Sequence, residues 1–508
     1  MNPNSPVPRW RRALWLAALL TLGGCASVPA DRGLSGVQRL IAERDARLAA
    51  LPHSQNTAQP ELDRQVNRLL ADPLTPDRAV AVALLRNPSV QLSYAQLGLA
   101  QADWLQASRL SNPVLSLSVL ESDADGERSK LGYGLVQNFT DALFLRRRAR
   151  NADGELAHAQ SVAAAQWQAL AADVYARYYA ALGAQQIAQM RAVIAEAAVV
   201  SAELADRFHA AGNLSDLERA RERAAAEQAM LDVEAAQAQR DATRIELLTV
   251  MGLSLDAPVT LSSGLPLPVT DETPLAHLIE LGLSQRLDLQ QRRQNQAVLR
   301  ASAELARKLR WIPFLQVGVQ GERETDGTRL LGPTLSVELP IFGRDRSGVL
   351  RTEAQLEQVQ AQTELLRAAI TGEIGTAYAR MLAAQARAAR HRDGLIPQRE
   401  AIVAHTQAMQ NYMLVGPFDL LLAKQQEYAA YEGYLLSLQD YWQVRVTLAR
   451  AVGVALPSDE NIGQASQLPV VLPDKAPDNA HQHHHHAAPG QDAHGGAHSN
   501  EQQPGGHP

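Results

Sequence analysis

From Asp141 to Ala257 the chain runs without a single proline, although the whole sequence holds 26. Alanine, glutamine, glutamate and arginine dominate this stretch. Apolar residues recur at three- and four-residue spacing: Leu156, Val162, Trp167, Leu170, Val174 and Tyr178. That period is the period of an amphipathic helix. One break interrupts it, at Ala211-Gly212-Asn213-Leu214-Ser215, so the spacing predicts two helices of roughly 40 to 65 residues each. At 1.5 Å per residue the longer would reach about 100 Å. Helices of that length do not fit inside a compact domain and point to coiled-coil packing. The alanine content serves helix propensity and also permits close helix approach.

The same plan then returns about two hundred residues later. Ala79-Val80-Ala81-Val82-Ala83-Leu84-Leu85-Arg86-Asn87-Pro88 leads a helical run to Asn112-Pro113 and the alternating stretch Val114-Leu115-Ser116-Leu117-Ser118-Val119. Leu278-Ile279-Glu280-Leu281-Gly282-Leu283-Ser284-Gln285-Arg286-Leu287 leads a second run to Trp311-Ile312-Pro313 and Phe314-Leu315-Gln316-Val317-Gly318-Val319. In the first copy, strands are expected at 113–122 and 130–139 around the turn Asp123-Ala124-Asp125-Gly126. The second copy places them at 313–324 and 329–339 around Thr325-Asp326-Gly327. Its helical pair spans 346–452, breaks at Val415-Gly416-Pro417, and carries Pro397, which kinks or interrupts the descending helix. The segments are therefore a leader (1–24), an N-terminal arm (25–72), two repeats (73–270 and 271–457) and a tail (458–508).

The leader has a basic start at Arg9, Arg11 and Arg12 and a short apolar core from Ala13 to Leu22. That core is shorter than the ~20 apolar residues a membrane-spanning helix needs, and reads as an export signal. It ends in Leu22-Gly23-Gly24-Cys25, a bacterial lipobox, which makes Cys25 the expected lipidation site. Ala26 and Ser27 follow in place of the inner-membrane retention aspartate, favouring the outer membrane. Cys25 is the only cysteine and, consumed by lipid, leaves no disulfides and no thiolate chemistry to expect. The arm carries two amphipathic patches, 37–48 and 62–70, punctuated by prolines, and reads as an extended arm lying on another part of the molecule. With 48 basic and 54 acidic residues, nothing suggests a nucleic-acid partner. No HExxH, GxSxG or P-loop lysine motif appears, so no enzyme is expected and no cofactor is required.

The strands carry the next constraint. Leu315, Val317 and Val319 alternate with Gln316, Gly318 and Gln320; Leu335, Val337 and Leu339 alternate with Thr334, Ser336 and Glu338. Ten-residue alternating strands suit a membrane barrel, and equally a half-buried sheet in a soluble protein. Four strands cannot close a barrel, since the smallest membrane barrels have about eight. Either the sheet is small and soluble, or several copies pool their strands; three copies supply twelve.

Residues 74–456 resemble the TolC-like outer membrane efflux proteins. The resemblance rests on Leu339-Pro340-Ile341-Phe342, on Asn411-Tyr412-Met413-Leu414-Val415-Gly416 with Asp419-Leu420-Leu421-Leu422-Ala423, and on Leu448-Ala449-Arg450-Ala451-Val452-Gly453. Leu395-Ile396-Pro397 resembles the heavy-metal efflux branch. The resemblance implies a mainly α chain with a membrane β-barrel portion, assembled as a homotrimer. Its 12-stranded barrel in outer-membrane lipid would continue into a periplasmic α-barrel. It also implies a periplasmic adaptor protein and an inner-membrane pump of the resistance-nodulation-division type as partners. By the same resemblance Gly212 and Gly416 lie in the periplasmic turns, Asp216 and Asp419 begin the returning helices, and Asp419 contributes to an acidic ring at the gate. Helix capping is the other reading of both aspartates. Tyr412 and Phe418 either pack the closed gate or fill the helix interface.

Eight of the 14 histidines lie in the tail, at His481, His483, His484, His485, His486, His494, His498 and His507. Neutral imidazoles on a polar Gly/Pro-rich segment suit divalent copper, zinc, cobalt or nickel. His158, His209, His277, His391 and His405 read as surface helix positions. The functional expectation is a passive exit duct of a tripartite efflux system for heavy-metal cations. Drug or small-molecule efflux and type I secretion use the same architecture. A periplasmic metal-sequestering coiled-coil lipoprotein is the rival from another class.

Overall fold

The computed structural model describes residues 31, 33–51, 59–121, 129–262, 264–309, 315–337 and 346–462. Cys25, the turn at 123–126, Trp311 to Phe314, Leu339-Pro340-Ile341-Phe342 and all eight tail histidines lie outside the described residues.

Three short helices form the arm: α1 (Leu34–Ala42), α2 (Ala46–Ala50) and α3 (Gln59–Leu70). The first repeat follows as α4 (Pro76–Arg86), α5 (Pro88–Ala107), β1 (Val114–Leu120), β2 (Lys130–Asn138), α6 (Phe139–Ala210) and α7 (Asp216–Met251). The second is α8 (Leu275–Gln285), α9 (Leu287–Leu309), β3 (Leu315–Arg323), β4 (Arg329–Val337), α10 (Arg346–Arg390), a π-turn (His391–Leu395), α11 (Ile396–Asn411) and α12 (Pro417–Val452).

The helix lengths depart from expectation. Helix α6 runs 72 residues, about 108 Å at 1.5 Å per residue, while α7 has only 36. Helix α7 stops at Met251 because Gly252 takes a left-handed conformation, φ 71°, which ends the helix. The second copy ends the same way: α12 also has 36 residues and terminates at Gly453, φ 78°. Both glycines pack on the junction between the two opening helices of their own copy. Asn87 Nδ2 donates to the Val250 carbonyl at 2.7 Å, and Arg286 Nη1 to the Ala451 carbonyl at 3.0 Å. Different side chains thus satisfy the same orphan carbonyl, two residues before each glycine.

The arm is not extended. Its apolar residues Leu34, Val37, Ile41, Leu48, Leu62 and Val66 are buried in the main core, because their three- and four-residue spacing gives each helix one apolar stripe. Arg44 fixes the arm to the second copy, donating to the Gln285 carbonyl at 2.9 Å and to Gln290 Oε1 at 2.8 Å.

The copies meet around α6 and α12, where the Tyr179 and Trp442 rings stack 4.9 Å apart. The linker between the repeats crosses this junction. Trp442 Nε1 donates to the Pro266 carbonyl, the Val269 amide to Tyr441 Oη, and Gln385 to the Val269 carbonyl. Beside it Arg445, almost fully buried, donates to Glu272 at 2.8 Å and to Asp459 at 2.5 Å. Burial by itself would lower the pKa of this guanidinium; the charges of Asp459 and Glu272 outweigh that and hold it above its ordinary value.

The four strands form one antiparallel sheet in the order β1-β2-β3-β4, so the two copies join at β2–β3. Its register sorts side chains by character. Leu117, Tyr133, Gly321 and Leu331 lie in one row, and Leu115, Leu135, Val319 and Pro333 in the next. The opposite face carries Ser116, Gly134, Gln320 and Gly332, then Ser118, Gly132, Glu322 and Leu330, while polar side chains occur on the first face at Gln137, Arg323 and Arg329, near the strand ends. Leu115, Leu117, Val119, Leu331 and Leu335 are all exposed. Among the described residues no helix is long and apolar enough to cross a membrane.

Candidate functional site

Two features stand out for function: the sheet with an uncovered apolar face and two free edges, and the two hairpin turns at the far ends of the long helices. Among the described residues, backbone N–H and C=O groups along β1 and β4 have no strand partner on their outer sides. Such edges invite pairing with another chain unless they are protected.

The two turns are built on one plan. After α6, the Asn213 amide donates to the Phe208 carbonyl at 2.9 Å and the Gly212 amide to the His209 carbonyl at 2.8 Å. After α11, the Leu414 amide donates to the Met409 carbonyl at 3.0 Å and the Met413 amide to the Gln410 carbonyl at 2.8 Å. Both are the paired six-to-one and five-to-two closure that follows a helix when the residue past its cap is left-handed. Phe208, Gly212, Ser215, Glu218 and Gly252 therefore align with Met409, Met413, Gly416, Asp419 and Gly453, without insertion or deletion. Gly212 has the expected φ of 77°, but its counterpart is Met413, at φ 57°, the only non-glycine residue with positive φ among those described. Holding a side chain in that region costs about 1–2 kcal/mol. Gly416 has φ −81° and is the N-cap of α12. The two glycines singled out from the sequence both lie at the turns, in non-equivalent places.

The first turn satisfies itself. Ser215 is the N-cap of α7: its hydroxyl accepts from the Glu218 amide at 3.2 Å, and Glu218 Oε2 accepts from the Ser215 amide at 3.1 Å. The Ser215 hydroxyl and amide bonds hold the Glu218 carboxyl below its ordinary pKa. Asp216 is thus the first helical residue rather than the cap, and lies 3.2 Å from Arg219 and 3.5 Å from His209. His209 Nδ1 donates to the Leu214 carbonyl at 2.9 Å. Arg223 and Asp206 form a two-point ion pair at 2.9 and 3.0 Å across the hairpin.

The second turn is bare. Tyr412, Met413 and Leu414 are 79%, 94% and 69% exposed. Asp419 Oδ2 accepts from the Gly416 amide at 2.9 Å, so in the single chain it serves the helix start. Leu422 sits one turn on, exposed. Phe418 packs edge-to-face on Phe208, centroids 5.9 Å apart, and joins the two turns. Higher up, Arg191 on α6 bonds Glu432 on α12 at 2.9 Å and Asp232 on α7 at 2.7 Å, a further tie between the hairpins. The break expected at Pro397 takes the form of the π-turn at His391–Leu395 just before it. His391 packs against Gly433 and its Nδ1 is buried, unlike an ordinary surface histidine. His158, His277 and His405 are exposed.

No family model matches the sequence, and no curated protein matches it either. Solved structures do. VceC of Vibrio cholerae, an outer membrane protein, superposes with a TM-score of 0.60 at 16% identity, covering 77% of this chain and 97% of that one. The outer membrane channel CmeC of Campylobacter jejuni gives 0.62 at 15% identity, covering 83% and 95%. CusC, described in terms of transmembrane channel formation, gives 0.61 at 15% identity, covering 80% and 98%. CmeC and CusC are described as channels, not as enzymes.

Proposed function

We propose that this chain, which has the fold of TolC-like outer-membrane channels, is the outer-membrane duct of a tripartite efflux system. Three copies pool their strands into a 12-stranded barrel and their helices into a periplasmic tube. The observation that carries this reading is the sheet: one face is apolar or small except for Gln137, Arg323 and Arg329 near the strand ends, the other is mostly polar or glycine, and among the described residues both edges are open. In lipid, backbone groups need internal partners, and only closure of the sheet supplies them. The polar face then lines the water path.

Solute leaves down its gradient, and the inner-membrane pump of the resistance-nodulation-division type supplies the energy. The exposed Tyr412, Met413 and Leu414 suit contact with a periplasmic adaptor, which separates the turns to open the tube. Gly212, Asp216, Gly416, Phe418 and Asp419 belong to that periplasmic end. A lipid on Cys25 anchors each copy. Heavy-metal cations are the substrate class, a reading supported by the histidine-rich tail, where His481, His483, His484, His485, His486, His494, His498 and His507 would gather divalent ions.

Purified protein added to a planar bilayer should give discrete single-channel steps, and the same sample should migrate as a trimer that heat dissociates. A monomer that never conducts overturns the duct. Loss of copper, zinc, cobalt or nickel tolerance on deletion of 481–508 would support the tail's role, and unchanged tolerance with unchanged metal binding would remove it.

A further inference from the structure

The aligned turns differ at three places along one edge of the helix that enters them. Leu204, Phe208 and Gly212 of the first copy correspond to His405, Met409 and Met413 of the second. His405 and Met409 are four residues apart on α11 and therefore share a face. Met413 follows after the same interval. It lies in the turn just past the helix, where its amide donates to the Gln410 carbonyl and the flanking Tyr412 and Leu414 amides both donate to the Met409 carbonyl. All three side chains are exposed, Met413 almost completely. Burial therefore does not explain two methionines here, and the left-handed conformation opposes the second. In the first copy the same positions hold no side chain that binds a metal.

One imidazole and two thioethers make a soft donor set. Thioether sulfur selects Cu(I) and its congener Ag(I) over hard or borderline divalent ions. Among the described residues no group of three histidine, cysteine, aspartate or glutamate side chains is placed to hold a metal, so the described body offers no competing hard-donor cage.

We infer that His405, Met409 and Met413 form a binding site for a soft monovalent ion, Cu(I) or Ag(I), at the turn of the second hairpin. The site deepens the metal-cation reading of the duct and rests on it for its purpose. Ion binding at the turn and conduction through the barrel are separate measurements, so each fails without the other.

The test uses the full chain in detergent, labelled at the methionine methyl carbons and titrated with silver nitrate. The Met409 and Met413 methyl resonances, assigned by their disappearance in M409L and M413L, should shift together and saturate. Equilibrium dialysis should show M409L/M413L losing about one Ag(I) per chain, with H405Q weakening the same ion. The tail histidines contribute equally to every sample. Leucine keeps the apolar bulk of the turn, so an apolar docking role would survive the exchange. Methyl resonances that do not move, or an unchanged silver count in M409L/M413L, would overturn the site.

Discussion

The two hairpin turns are the same piece of backbone put to different uses. The first is closed by glycine, a serine–glutamate capping box and the Arg223–Asp206 ion pair, so its polar groups are spent on itself. The second uses methionine where glycine belongs, caps its helix through Asp419 alone, and leaves Tyr412, Met413 and Leu414 in solvent. Self-sufficiency in one copy and exposed, mildly strained apolar surface in the other mark a division of labour after duplication. On the proposed duct reading, the first hairpin would be wall and the second would carry the working end. The descending helices agree, since α6 is unbroken whereas its counterpart is interrupted by a π-turn, a feature common at functional sites.

Terminal glycines test the comparison most severely. A Cβ on Gly252 would come within 2.8 Å of the Arg86 carbonyl oxygen and 2.9 Å of its carbon, whereas one on Gly453 meets the Arg286 side chain. Both positions have positive φ, so G453A should cost about 1–2 kcal/mol. G252A should exceed that by at least about 1 kcal/mol, because backbone must move where a side chain can swing aside. Denaturation midpoints of the two variants check the order; equal losses would mean that the junctions are alike in rigidity.

Caps come next. S215A should destabilise the first hairpin by about 1 kcal/mol. D419A should cost the second about half as much, since it removes one bond to the Gly416 amide rather than a reciprocal pair. Amide exchange in the first turns of α7 and α12 reads both.

Met413→Gly should convert the second turn toward the first, slowing amide exchange at Met409–Leu414 by up to about fivefold, equivalent to about 1 kcal/mol of relieved strain. Acid should act on the first turn only weakly. The folded-state pKa of Glu218 is depressed by its bonds to Ser215, so its contribution is complete above the ordinary value of 4.5 and fades as pH falls below it. The Ser215 amide resonance should follow that titration, and a resonance constant down to pH ~2 would contradict the capping box.

Much of this was legible in residues. Proline absence and apolar period marked the long helices, alternation marked the strands, and the repeated Leu-rich openings marked the duplication. The left-handed position of the second turn was not legible, because a nearby glycine, Gly416, is the default choice and nothing in local propensity nominates methionine. Helix α7 ends at Met251 rather than near Ala257 because Gly252 is seated on the Arg86–Asn87 backbone, a contact from a remote part of the chain. The arm's stripes were visible at Val37 and Leu62, but only tertiary packing showed them to be core rather than a draped strand. The metal-ligand edge at His405, Met409 and Met413 emerges only when the copies are aligned by their turn hydrogen bonds.

The central claim is that each chain is an incomplete wall finished by two others. Cysteines placed at Ser116 on β1 and in turn at Thr334 and Ser336 on β4, with Cys25 the only native cysteine, test it by oxidation in membranes. The account predicts a covalent ladder between copies that stops at three. Cross-links confined to one chain, none at all, or a ladder without end would contradict it.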